Sequence, residues 1–117
     1  MTDQRRFTML DLMARLPGAE GERFTVALKR GTLTLELYAP RGADHQEPHR
    51  RDEVYVVVQG RGWFVNGDDR SSFGPGDLLF VPAGVTHRFE DFTDDLAVWV
   101  MFYGPEGGEG GAGGSPR

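Results

Sequence analysis

The chain has 117 residues, a formal net charge of −5 at pH 7, 38% apolar residues, 17 glycines, 7 prolines and no cysteine. That length suits one domain with a core of its own. The lack of cysteine excludes disulfides, thiolate metal sites and cysteine nucleophiles, so any metal takes nitrogen and oxygen ligands.

Basic residues pair only at Arg5-Arg6, Lys29-Arg30 and Arg50-Arg51. No positive field is built for phosphate, and a nucleic-acid partner is not expected. Nowhere do about 18 apolar residues run together, and no basic segment with an apolar run behind it opens the chain. Neither a membrane span nor a secretion signal is therefore expected, and the expectation is a cytoplasmic protein.

Residues Thr8 to Leu16, TMLDLMARL, repeat apolar side chains at Met9, Leu12, Met13 and Leu16. This is helical spacing, with Thr8 and Asp11 as a capping pair and Pro17-Gly18 as a stop, so the pattern predicts a short amphipathic helix covering a sheet. From Arg23 the period changes to two. RFTVALKRGTLTLELYAP sets Phe24, Val26 and Leu28, then Leu33, Leu35 and Leu37, on one face of two runs joined at Arg30-Gly31. EVYVVV, Gly60-Arg61-Gly62 and WFVNG then predict a hairpin. GPGDLLFVPAG, THRFEDF and LAVWVMFYG supply further strands.

Seven or eight short strands with no helix between them predict an all-β sandwich or barrel. The expected organisation is an N-terminal helical segment over residues 1–22, a barrel over 23–104 and a flexible glycine-rich tail over 105–117, too poor in apolar side chains to offset its ordering entropy.

The chemistry concentrates in QEPHRRDEVYVVVQG and GDLLFVPAGVTHRFED. Alternation puts Glu53, Tyr55 and Val57 on one strand face, and Glu47, His49 and Arg51 would share it if the strand ran back that far. A carboxylate on a buried face is costly unless paired or bound to a cation, and neutral imidazoles are the commonest partners in holding one. His87 follows a Pro-x-Gly turn and heads a strand with Phe89 and Asp91 as same-face neighbours. His49, Glu53 and His87 can thus form a facial triad for a divalent metal with open positions. Tyr55 is a candidate catalytic phenol. Phe64, Phe80, Phe89, Trp99, Met101 and Phe102 are candidates for the core and for the cavity wall.

These residues carry a resemblance. His49, the three residues Arg50 to Asp52, Glu53, six further residues and Gly60 match the latter part of the first cupin motif. Gly76, Pro82, Gly84 and His87 match every spacing of the second, with Asp91 where asparagine is usual. The chain resembles a small single-domain cupin, which implies a double-stranded β-helix, or jelly-roll barrel, with the short N-terminal helix added.

The resemblance implies His49, Glu53 and His87 as metal ligands. The first histidine of the family's His-x-His falls at Glu47, so the fourth ligand is Glu47, with Gln46 or His45 as alternatives. One divalent transition metal is implied, whether iron, manganese, nickel, zinc or copper, together with a small-molecule ligand and a homodimer. The expected function is a mononuclear-metal enzyme, dioxygenase-like, acting on a small oxygen-rich or aromatic molecule. A metal-dependent isomerase and a non-catalytic small-molecule-binding or sensor barrel are the alternatives, because this barrel hosts many chemistries.

Overall fold

The structure, a computed structural model, describes residues 4–110. One helix, α1 (Met9–Met13), precedes eight strands: β1 (Phe24–Arg30), β2 (Leu33–Tyr38), β3 (Asp52–Gln59), β4 (Gly62–Asn66), β5 (Asp69–Phe73), β6 (Leu78–Val81), β7 (His87–Glu90) and β8 (Ala97–Tyr103). They form two antiparallel sheets, a five-stranded one in the order β1-β2-β8-β3-β6 and a three-stranded one in the order β5-β4-β7. No helix among the described residues is long and apolar enough to cross a membrane.

The core lies between the sheets. Tyr55, Val57, Val81, Val98 and Val100 of the larger sheet meet Phe64, Phe73 and Phe89 of the smaller. Phe89 is the centre of an aromatic cluster, with ring centroids 5.0 Å from Tyr55, 4.8 Å from Phe64 and 5.3 Å from Phe73. Edge-to-face and tilted pairs of this kind add to the stabilisation from burial alone.

Two expectations from the pattern are corrected. The predicted β3–β4 hairpin does not form, since Gly60-Arg61-Gly62 carries the chain from one sheet to the other. Gly60 has φ +99 and a Cβ there would come within 2.6 Å of the Leu96 backbone, so the crossing needs glycine for conformation and for space. The hairpin instead joins β4 to β5 through Gly67-Asp68, with Asn66 opposite Asp69. Strand β5, DRSSF, escapes the hydrophobic pattern because its first four residues are exposed.

The second correction concerns β1 and β2. Phe24 and Val26 pair with Tyr38 and Glu36, whereas Leu28 pairs with Leu35 across a register shift between Val26 and Leu28. The bulge turns the alternation over, so β1 contributes to both faces. On β2 it is Thr34, Glu36 and Tyr38 that share a face with Val98, Val100 and Phe102 of β8 and with Glu53, Tyr55 and Val57 of β3. Leu33, Leu35 and Leu37 point away from the interior. Leu37 is nonetheless fully buried, as is Leu12 of α1, and α1 packs against β2. Thr8 caps this helix by accepting from the Asp11 amide at 3.1 Å. The helix thus covers the outside of the sheet, while Leu78 and Phe80 on the same outer face stay exposed.

At the other end, residues 105–110 turn back on β3. The Gly107 amide donates to Arg50 O at 2.8 Å and the Glu109 amide to Asp52 Oδ2 at 2.8 Å. The remainder of the segment expected to be a flexible tail, 111–117, lies outside the described residues.

Candidate metal centre

Strand β3 begins at Asp52, so Glu53 is its second residue and its inward alternation with Tyr55 and Val57 is realised. His49 belongs to the preceding loop rather than to the strand. Asp44 pins that loop to the smaller sheet: its buried carboxylate accepts from the Phe89 amide at 2.8 Å, from Gln46 Nε2 at 2.8 Å and from the Tyr38 hydroxyl. His87 opens β7 directly after the Pro82-Ala83-Gly84 turn. The two segments are laced together there, with the Gly84 amide donating to His49 O at 2.7 Å and the Ala83 amide to Asp52 Oδ1 at 3.0 Å. The triad therefore bridges the two sheets.

Each of His49, Glu53 and His87 offers a ligand atom within 4.8 Å of the others. Glu53 Oε1 lies 3.2 Å from His87 Nε2 and 3.8 Å from His49 Nε2. His87 Nδ1 is 3.0 Å from Val85 O, and because a carbonyl only accepts, this bond puts the proton on Nδ1. His87 Nε2 then turns its lone pair towards a carboxylate oxygen. Both atoms are buried without an aligned hydrogen bond. Two acceptors facing each other in a dry site call for a cation or a proton between them. The donor set of two imidazoles and one carboxylate suits a divalent first-row metal.

Burial lowers the His49 pKa, against the opposing charge of Glu53. That keeps the ring neutral, the form a ligand needs. For His87 burial also works downward, but Glu53 and the Val85 carbonyl outweigh it and the net shift is upward. The Tyr55 phenol is pushed well up, first by burial and then by the charge of Glu53. It therefore keeps its proton and donates it to Gln46 Oε1 at 2.9 Å.

The Gln46 side chain is oriented by its hydrogen bonds. Gln46 Nε2 donates to Asp44, which leaves Oε1 facing the site, 3.4 Å from His49 Nε2. Glu47 and His45 line the same cavity but are exposed, and neither belongs to the cluster of ligand atoms. Asp91 is not on the His87 face: it lies beyond β7 with φ +49, a turn conformation that aspartate and asparagine tolerate.

A cavity of about 620 Å³ opens onto Glu53 and His49, walled by Phe24, Glu36, Tyr38, Val100 and Phe102. Of the aromatic candidates, Phe102 lines it, with its ring 4.8 Å from that of His49, while Phe64 and Phe89 are core. Sequence reasoning missed Glu36 and Asp44. The signal for Glu36 was present, since Thr34, Glu36 and Tyr38 alternate as Glu53 and Tyr55 do. Asp44 stands in a polar loop with nothing to mark it.

The Cupin domain family matches residues 34–103. The chain belongs to the cupin family. It is 37% identical over 100 residues to an uncharacterized protein of Streptomyces coelicolor, covering 79% of this chain and 95% of that one. It is 31% identical over 85 residues to an acireductone dioxygenase of Leishmania infantum, covering 66% of this cupin but 25% of the relative. Among solved structures, a cupin 2 conserved barrel domain protein from Salinispora arenicola superposes with a TM-score of 0.66 at 18% identity, covering 89% of this chain and 91% of that one. That likeness concerns the fold.

Proposed function

We propose that this cupin binds one divalent transition metal through His49, Glu53, His87 and Gln46 Oε1, and acts as a mononuclear-metal enzyme, dioxygenase-like, on a small oxygen-rich or aromatic molecule. The observation that carries this reading is the buried, unpartnered pair Glu53 Oε1 and His87 Nε2. When bound, the metal supplies Lewis-acid polarisation and, if redox-active, electrons for dioxygen.

The chain's own residues supply the rest. Glu53 offsets one unit of the cation's charge, and the two neutral imidazoles offset none, so the centre favours an anionic oxygen. Asp44 and Tyr55 act as positioning residues by holding the Gln46 amide from both ends, which fixes its oxygen inward. Val100 and Phe102 exclude water from the inner wall and strengthen the electrostatics there. Similarity to the acireductone dioxygenase over a quarter of that protein's length supports a dioxygenase over other cupin activities.

The test is elemental analysis of the purified full chain beside a His49→Ala, His87→Ala double variant, followed by dioxygen uptake with enol and catechol compounds. Near-stoichiometric iron, manganese, nickel or copper in the wild type alone, with uptake on adding substrate, is the expected result. Equal metal in both proteins would overturn the site, and a metal-loaded protein that consumes no dioxygen would overturn the activity.

A further inference from the structure

Two carboxylates in the cavity, the exposed Glu47 and the half-buried Glu36, are used by none of these roles. Glu36 lies on the inward face of β2, directly beside Val100 of β8, whose other neighbour is Tyr55 of β3. Glu36, Val100 and Tyr55 form one cross-strand row, and two strand spacings separate the Glu36 and Tyr55 backbones by about 10 Å. Glu36 therefore stands on the wall two strands away from the phenol that holds Gln46. Its neighbour on β1 is Val26, and Phe24 lines the same wall. Among the described residues the Glu36 side chain makes no hydrogen bond or ion pair.

A half-buried carboxylate on an apolar wall is costly unless something partners it. Burial, followed by the charge of Glu53, raises the Glu36 pKa to about 7, with Lys29 pulling in the opposite direction. Glu36, Glu47 and Glu53 all line the cavity, and its lining includes no lysine or arginine. The fully buried, unpartnered Glu53 Oε1 at the same cavity independently marks it as a place that receives a ligand. Its two ends then differ in chemistry: the triad end, suited to anionic oxygen, and a wall where a lone carboxyl group meets whatever lies against it.

We infer that Glu36 is the specificity-determining residue of this cavity, receiving a hydroxyl or amino group at the end of the ligand remote from the triad. The site then takes small neutral or cationic molecules with adjacent metal-binding oxygens and turns away those with a second anionic group. This inference rests on the metal-site reading above. Either protonation state of Glu36 serves a hydroxyl, whereas an ammonium needs the carboxylate form and an anionic tail opposes it.

The test uses the zinc-loaded full chain, since zinc avoids redox chemistry, and three catechol probes that share the chelating end and differ in the tail: 4-methylcatechol, dopamine and 3,4-dihydroxybenzoate. Dissociation constants come from calorimetry, with zinc content measured separately. The wild type is expected to bind dopamine and 4-methylcatechol about tenfold more tightly than 3,4-dihydroxybenzoate. Glu36→Gln should bring all three within about threefold, and Glu36→Lys should reverse the order. Stoichiometric zinc with no tail preference, or a preference that survives in both variants, would overturn the role of Glu36 and leave the metal site standing. A wild type that retains no zinc would overturn the metal reading, and this inference with it.

Discussion

Glu53 Oε1 and His87 Nε2 stand 3.2 Å apart, both nearly fully buried, and neither has an aligned hydrogen bond. The two strands that present them belong to different sheets, so packing of the barrel forces together two atoms that repel when empty of a cation or proton. Glu53→Gln replaces the carboxylate with an amide whose N–H₂ can donate to Nε2. At alkaline pH, where His87 is neutral and no proton lies between the two atoms, we expect the metal-free variant to be more stable than the metal-free wild type by about 1 kcal/mol in urea unfolding. The same variant should lose its metal. A metal-free variant that unfolds at lower urea would contradict the opposed-acceptor geometry.

Asp44 accepts from three donors that belong to β2, the site loop and β7. Removing it in Asp44→Ala orphans the buried Phe89 amide and releases Gln46, at an expected cost of about 2–4 kcal/mol by urea unfolding. Gln46→Leu is the complementary change. It orphans the buried Tyr55 hydroxyl, so it should cost about 1–3 kcal/mol by urea unfolding, and it should weaken metal affinity about tenfold or more, read by competition with a chelator.

Asp52 ties three segments together, accepting from Ala83 with one oxygen and from Glu109 with the other. Asp52→Ala should cost about 1–3 kcal/mol. Hydrogen exchange at the Glu109 amide should rise towards that of free chain. Glu106→Ala, which removes only an exposed pair with Arg50, should leave both readings unchanged.

The pH dependence of stability carries a signature of Glu36. Its carboxyl is raised from 4.5 to about 7 in the fold, so the folded chain holds this proton more tightly than the unfolded chain. The contribution is fully present below the unfolded value and is lost as pH rises through about 7. His49 is shifted down by burial and His87 up by Glu53, and Glu47, Glu53, Tyr38, Tyr55 and Lys29 lie near the group, so the readout is the difference between two proteins. Between about pH 5 and 8, metal-free wild type should lose about 1–2 kcal/mol more stability than Glu36→Gln, partial exposure having been allowed for. Identical pH profiles would show that Glu36 does not carry the raised proton affinity.

Much of the site was legible before the structure because its residues sit at positions where local pattern and chemistry conflict. Glu53 interrupts a valine run at an inward position, and His87 follows a Pro-x-Gly turn, so each announces itself within a few residues. Gln46 stands there only as an alternative, because the direction of its amide depends on Asp44, Tyr55 and His49 together, at three other places in the chain. The leucines of β2 left their side open for a related reason. Their alternation places them on one face without saying which, and α1 covers the outside of this sheet and buries Leu37 from that side. A strand apolar on one face and mixed on the other can turn either way, and the element that packs on it makes the choice.

Legible in the chain alone are the all-β barrel, its strand segments apart from β5, and the grouping of His49, Glu53 and His87. Periodicity, turn residues and motif spacing act over a few residues and are written directly in the chain. Tertiary packing set the parting of β3 and β4, the orientation of the Gln46 amide and the place of Glu36 in the cavity. Those outcomes depend on sheet membership, on a single bulge in β1 and on hydrogen bonds between residues tens of positions apart. They are settled by packing and by the need to satisfy buried polar groups, neither of which any short window of sequence contains.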